Sequence, residues 1–242
     1  MIIEGKNAVT EAIKSGTTIE KLYVEKGNFA RELNRIIALA REAGIKVSFE
    51  KAETLEKLSP TGRHQGVIAS TTEYKYFDLE EVYEQAKERG EDVLFIILDG
   101  VEDPHNLGAV IRVADCAGAT GVIVPKHRGA GVTDTVVRVS AGASAHVKVS
   151  KVTNVNDAIR YLKEQGVFVF AADMDGEDIY KTNLKGDIAL VIGGEGSGVH
   201  ALTRKLSDGI VSLPLYGQVN SLNASVATGI VVYEALRQRN GK

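Results

Sequence analysis

Polar side chains able to do chemistry gather where apolar runs of this sequence end. Asn106 and Arg112 follow the run that closes at Leu98, in DGVEDPHNLGAVIRVADCAGA. Glu195 follows the run that closes at Ile192, in GGEGSGVHALTRKL, and Ser221 and Asn223 follow the run 210–215, in LPLYGQVNSLNASVATGI. A guanidinium is a permanent cation with a fixed fork of donors, while side-chain amides and hydroxyls both donate and accept. Glycines at 193, 194, 196 and 198 permit unusual backbone turns and close approach by a planar ligand. Gly194, Gly196 and Gly198 give only G-x-G-x-G after a late strand, and no G-x-x-x-x-G-K-[ST] loop exists. A nucleotide hydrolase or an ordinary dehydrogenase is therefore poorly supported.

Each of these residues also has a plainer role. Asn106 caps a helix over 107–117, Arg112 snorkels or pairs with a carboxylate, and Cys116 is a small core residue of that helix. Asn223 is expected at the N-cap of the long final helix, whose small residues Ala224, Ser225, Ala227, Thr228 and Gly229 let another backbone approach. Glu195 suits a helix start on electrostatic grounds.

Phosphate contacts need cations. Lys126, His127 and Arg128 form the one dense basic triplet, at a strand end where a ligand sits. Arg63 and His64 lie in the loop 59–65, SPTGRHQ, which otherwise reads as a solvated turn. Net charge is −3 over 242 residues, so any binding of a nucleic acid would have to come from such local patches. Residues 1–75 hold 12 Lys and Arg against 10 Asp and Glu, which leaves the remainder acidic.

The elements that position these groups follow from hydrophobic patterning. In the second half, apolar runs at 93–98, 121–124, 146–149, 167–171, 188–192 and 210–215 alternate with helical segments. That is the pattern of a mostly parallel sheet covered on both faces, which binds ligands at its carboxyl ends. A helix from Asp78, with Leu79, Val82, Tyr83 and Ala86 on one face, precedes it. Residues 1–72 alternate helix and strand units as a small α/β domain, and residues 73–242 form the second, with the boundary near Glu73. The fold class is α/β throughout.

A composition of 44% hydrophobic and 25% charged residues is that of an ordinary globular chain. No run is long enough to span a bilayer, and the opening residues lack a signal-peptide pattern. The single cysteine excludes an intrachain disulfide and a cysteine-rich metal site, so a cytoplasmic location is expected.

Three stretches, NLGAVIRVADCAGATGVIV, LVIGGEGSGV and SLPLYGQVNSLNASVATGI, resemble the motifs of the SpoU/TrmH class of RNA ribose 2′-O-methyltransferases in order and spacing. The resemblance covers about residues 93–239 and extends to an L30-like N-terminal domain that binds RNA. It implies a trefoil-knotted SPOUT domain, a homodimer completed near the sites, and methyl transfer from S-adenosylmethionine to a guanosine ribose 2′-hydroxyl in ribosomal RNA. A neutral thioether leaves in that reaction, so no metal is implied. Asn106, Arg112, Glu195, Ser221 and Asn223 take the catalytic positions. Gly193, Gly194, Leu213 and Leu222 take the cofactor contacts, and Arg63, His64, Lys126 and Arg128 face the RNA. The family's assignment of the arginine as base conflicts with its permanent charge; stabilising a developing alkoxide, or proton transfer to a phosphate, serves equally. A tRNA substrate, an antibiotic-resistance site on the ribosome, and a non-catalytic ribosome-assembly role are the alternatives.

Overall fold

The computed structural model describes residues 2–15, 17–28, 30–71, 74–196, 198–219 and 221–241. The expected boundary at Glu73 lies outside the described residues. The N-terminal part runs β1 (Ile2–Glu4), α1 (Lys6–Ser15), β2 (Ile19–Glu25), α2 (Arg31–Glu42), β3 (Val47–Glu50), α3 (Ala52–Leu58) and β4 (Val67–Thr71). Its sheet has the order β1-β4-β2-β3, with β2 and β3 parallel and the other pairs antiparallel. Val9, Ile13, Leu22, Leu33 and Ile36 pack into its own core. Strand β1 carries no signal in the sequence, because three residues are too few to show alternation. The loop 59–65 is not the loosely solvated turn that composition suggests. The Glu4 carboxylate accepts from the Ser59 and Thr61 hydroxyls, Ser59 Oγ accepts from the Gly62 amide at 2.8 Å, and Gln65 Oε1 accepts from the Lys6 amide at 3.2 Å.

From Phe77, whose amide donates to Val149 O at 3.0 Å, the chain enters its larger part. Helix α4 (Leu79–Glu88) is capped by Asp78 and buries Leu79, Val82, Tyr83 and Ala86, the face its periodicity marks. There follow β5 (Leu94–Asp99), α5 (Pro104–Ala117), β6 (Gly121–Pro125), α6 (Asp134–Val139), β7 (Val149–Val152) and α7 (Val155–Glu164). The chain then forms β8 (Phe168–Asp178), β9 (Ile188–Gly193), α8 (Ala201–Leu206), β10 (Gly209–Ser212) and α9 (Ala224–Arg239). These six strands make one wholly parallel sheet of order β10-β8-β9-β5-β6-β7. Central β5 is buried along its whole length, Ile96 and Leu98 toward α5 and α9, Phe95 and Ile97 toward α4 and α7. Each such side chain contributes about 1.5–3 kcal/mol by leaving water.

Local chemistry shifts several expected boundaries. Helix α5 starts a turn early because Asp103 accepts from the His105 amide at 2.9 Å and Pro104 takes the first helical position, where no donor is needed. Asn106 is thus inside the helix and buried, not its cap. Cys116 is exposed instead of core: the buried face of α5 runs through Leu107, Val110, Ile111, Ala114 and Ala117, and Cys116 lies four residues from Arg112 on the outer face. The run 146–149 yields a strand only from Val149, since a 3-10 turn occupies Ala143–Ala145 after left-handed Gly142. Strand β10 ends at Ser212, two residues before Pro214, which has no amide to give.

Candidate active site

At the carboxyl ends of β8, β9 and β10 lies a cleft of about 490 Å³. Its floor is the glycine turn after β9. The Gly194 amide donates to Asp99 O at 3.0 Å, and the Gly198 amide donates back to Gly194 O at 3.0 Å. A Cβ on Gly193 would stand 2.1 Å from the Gly198 carbonyl carbon, so this crossing of backbone on backbone admits glycine alone. One wall comes from a break in strand pairing. Ile210 pairs with Ala171 but Val211 pairs with Glu177, which throws the intervening residues of β8 outward. Asp173 and Met174 on that excursion line the cleft. Arg204 holds it from outside, reaching Asp173 at 2.7 Å and Asp175 at 2.8 Å.

The opposite wall is a polar cluster joining three distant segments. Asn223 caps α9: its Oδ1 accepts from the Ser225 amide at 3.0 Å, the Val226 amide at 3.3 Å and Ser225 Oγ at 2.7 Å. Its Nδ2 donates to Asn106 Oδ1 and to Glu195 Oε1, both at 2.9 Å. Asn106 Nδ2 donates to the same Glu195 oxygen at 3.0 Å. One carboxylate oxygen thus gathers two amides, which fixes the glycine turn against the starts of α5 and α9. The other side of the turn is held by a pair not foreseen from the sequence. The buried Asp99 carboxylate accepts from the His200 amide at 3.0 Å and meets His200 Nδ1 at 2.8 Å. An acid closing an apolar strand is the only local signal of that role.

Among the expected residues, Gly193, Gly194, Glu195, Leu213, Ser221, Leu222 and Asn223 line this one cleft, and Asn106 is tied to it. Arg112 is not brought in. It sits on the exposed face of α5, about 9 Å along the axis from Asn106, and its side chain makes no hydrogen bond or ion pair among the described residues. Lys126 lines a different cleft, and exposed Arg128 adopts a positive φ of 56° beside it. Arg63 is exposed on the small domain, also without a side-chain partner among the described residues. His64 is more constrained: its Nδ1 accepts from the Gly66 amide at 3.0 Å, which leaves Nε2 to donate to Glu56 at 3.1 Å.

Both parts of the chain match known families. Residues 93–233 match the SpoU rRNA methylase family, and residues 2–77 match the substrate-binding family of RNA 2′-O ribose methyltransferases. The chain belongs to the SpoU methylase family. As a SpoU methylase carrying that substrate-binding part, it is an RNA 2′-O-ribose methyltransferase. A Bacillus subtilis protein, YacO, whose name assigns it to the TrmH-family tRNA/rRNA methyltransferases, is 40% identical over 238 residues, 98% of this chain and 95% of its own. An AdoMet-bound rRNA methyltransferase from Sinorhizobium meliloti superposes with a TM-score of 0.62 at 25% identity, covering 98% of this chain and 86% of that one. A TrmH/SpoU tRNA-modifying enzyme of A. aeolicus reaches 0.57 at 26% identity, over 66% of this chain and 85% of that one. Among the described residues no helix is long and apolar enough to cross a membrane, and no group of three or more His, Cys, Asp or Glu could hold a metal.

Proposed function

We propose that this SpoU methylase modifies a guanosine ribose in large-subunit ribosomal RNA, in the cytoplasm and as a homodimer. The observation that carries the reading is the Asn106–Glu195–Asn223 cluster closing a glycine-floored cleft at the carboxyl edge of the sheet. S-adenosylmethionine is the methyl donor, and the cleft suits it. Bare backbone at Gly193 and Gly194 and apolar Leu213, Leu222 and Ala227 would hold its flat base and aliphatic chain, and the Glu195 carboxylate in the same cleft would offset its positive charge. When bound, the cofactor supplies an electrophilic methyl group. The chain's own residues do the positioning, an effect that reaches roughly 7–11 kcal/mol for well-oriented groups. Asn106 and Asn223 hold Glu195, and Ser221 offers a hydroxyl beside them. Arg112, outside the cleft of its own protomer, would stabilise the ribose oxygen by its permanent charge while that oxygen's proton passes to a neighbouring phosphate.

Ribosomal over transfer RNA is favoured by one contrast: the rRNA enzyme from S. meliloti aligns with nearly all of this chain, whereas the A. aeolicus tRNA enzyme aligns with two thirds. Arg63 and His64 on the small domain, and Lys126 and Arg128 on the large one, read that substrate. The same reading carries the trefoil path. The test offers purified protein labelled S-adenosylmethionine with ribosomal and transfer RNA, then maps the methylated ribose. Label in a single ribosomal guanosine is expected, and Arg112→Ala should abolish it while leaving cofactor affinity and stability (within about 0.5 kcal/mol) intact. Label in tRNA alone, or turnover in Arg112→Ala near the parent rate, overturns the assignment.

A further inference from the structure

A second cleft, of about 600 Å³, opens between the small domain and the carboxyl ends of β6 and β7. Lys151 on β7 lies in register with Val124 on β6, and the Lys126 amide donates to Val152 O at 2.7 Å, so both lysines leave adjacent strand ends. Lys46, just before β3, lines the cleft from the small domain. The position of Lys151 is built, not incidental. Its Nζ donates to Thr18 Oγ1 at 3.1 Å and stands 4.9 Å from the Tyr76 ring centre. The Thr18 and Tyr76 hydroxyls are 2.8 Å apart, and the Tyr76 oxygen accepts from the Val132 amide at 2.8 Å. A Cβ at Gly131 would meet Thr18 Cγ2 at 2.7 Å, which shows how tightly the small domain is seated there.

Positive charge is crowded into this space. Burial and then Lys126 push Lys151 down to about 8, and burial with the same two lysines lowers His127. The Lys126 ammonium makes no hydrogen bond or ion pair among the described residues. Three carboxylates also line the cleft: Asp103 is engaged by the His105 amide at 2.9 Å, while Glu20 and Glu102 remain. Concentrating like charges is unfavourable to the fold, and an anion relieves it.

We infer that this cleft binds a backbone phosphate of the substrate RNA, with Lys126 and Lys151 as its cations and Lys46 and His127 beside them. The inference rests on the RNA-methyltransfer reading above and adds a second anchoring point to it. Three strand spacings separate β9 from β7, roughly 14 Å along one sheet edge. An RNA strand following that edge spans from methyl donor to phosphate anchor within a few nucleotides. Because Thr18 and Tyr76 orient Lys151 from across the cleft, the phosphate contact and the seating of the small domain depend on the same groups.

The test compares the full-length parent, Lys126→Ala and Lys126→Ala/Lys151→Met for binding of transcribed large-subunit ribosomal RNA across a salt series. The slope of log K against log salt should become shallower by about one unit in the single variant and about two in the double. Affinity for S-adenosylmethionine, measured by calorimetry, should not change. Unchanged slopes and affinities in both variants overturn the inference. A second arm adds inorganic phosphate: if it raises the melting temperature of the parent more than of the double variant while RNA slopes stay equal, the cleft holds free phosphate and the RNA assignment falls. Failure of the parent itself to bind or methylate any RNA, with cofactor still bound, is the failure of the proposed function and is read separately.

Discussion

Asn223→Asp tests the polar cluster without removing the helix cap. Aspartate caps as well as asparagine, so α9 keeps its Ser225 and Val226 amide bonds. Both donors of Nδ2 disappear, and Asn106 Oδ1 and Glu195 Oε1 each lose a partner at 2.9 Å. A bond to a neutral acceptor contributes about 0.5–1.5 kcal/mol and one to a carboxylate about 1.5–3 kcal/mol, the lower ends applying to exposed Glu195. A second carboxylate now faces Glu195; at about 4 Å the repulsion is ~1 kcal/mol in water and ~4 kcal/mol at a surface dielectric near 20. A net loss of at least about 2 kcal/mol corresponds to roughly 30-fold in affinity. Two carboxylates sharing one site raise the proton affinity of the pair, so a proton taken up at lower pH restores a donor and removes the repulsion. Calorimetry with S-adenosylmethionine should therefore find Asn223→Asp weaker by about 30-fold or more at pH 8, with the gap to the parent narrowing at pH 5.5. Equal affinities at pH 8, or a loss that is the same at both pH values, refute the role given to the cluster.

Gly193→Ala forces a methyl group onto the Gly198 backbone; it should destabilise by about 2–3 kcal/mol in urea titration and lose cofactor binding, and a normal cofactor isotherm would contradict the close crossing. Val226, Ile230 and Tyr233 leave one face of α9 exposed by 51%, 36% and 49%; light scattering should find a dimer at micromolar concentration that Tyr233→Lys dissociates, and a monomeric parent would remove the assembly. Lys151, lowered from 10.5 to about 8 chiefly by burial, carries a penalty for its charged form. That penalty is complete below pH 8 and fades as pH rises to 10.5, so stability grows across that window. The stability of Lys151→Met relative to the parent should accordingly be greater at pH 7 than at pH 10.5, by about 2 kcal/mol after allowing for its partial exposure; a difference that does not change with pH contradicts the burial argument.

What the sequence makes legible is local and periodic. The Asp78 cap and the Leu79–Val82–Tyr83–Ala86 face predict α4 because cap and period fall within one helix. Six short apolar runs predict the parallel sheet because both its faces are covered, and Asn223 is readable as a cap from its immediate neighbours. Asn106 misleads for a similarly local reason: Asp103–Pro104, three residues earlier, is the stronger start signal. The excursion in β8 has no local signature, since it arises from how Ala171 and Glu177 meet β10. Asp99 and His200 are separated by 101 positions, and periodicity says nothing about such a pair. The exposure of Arg112 follows from which face of α5 meets the sheet, a choice the apolar residues on both sides of it do not settle.

The Asn106–Glu195–Asn223 cluster also sets when, during its own synthesis, this protein becomes competent. Every strand of the small domain is made within the first 71 residues, so that part has all its pieces early. The polar wall of the cleft is complete only when residue 223 joins Asn106 and Glu195. At about 5–20 residues per second, the small domain's chain is complete roughly 8–30 s before the last wall can close. For that interval a nascent chain displays the small domain with no closed cleft behind it. Its closing waits for Asn223, 117 residues after Asn106 and 28 after Glu195.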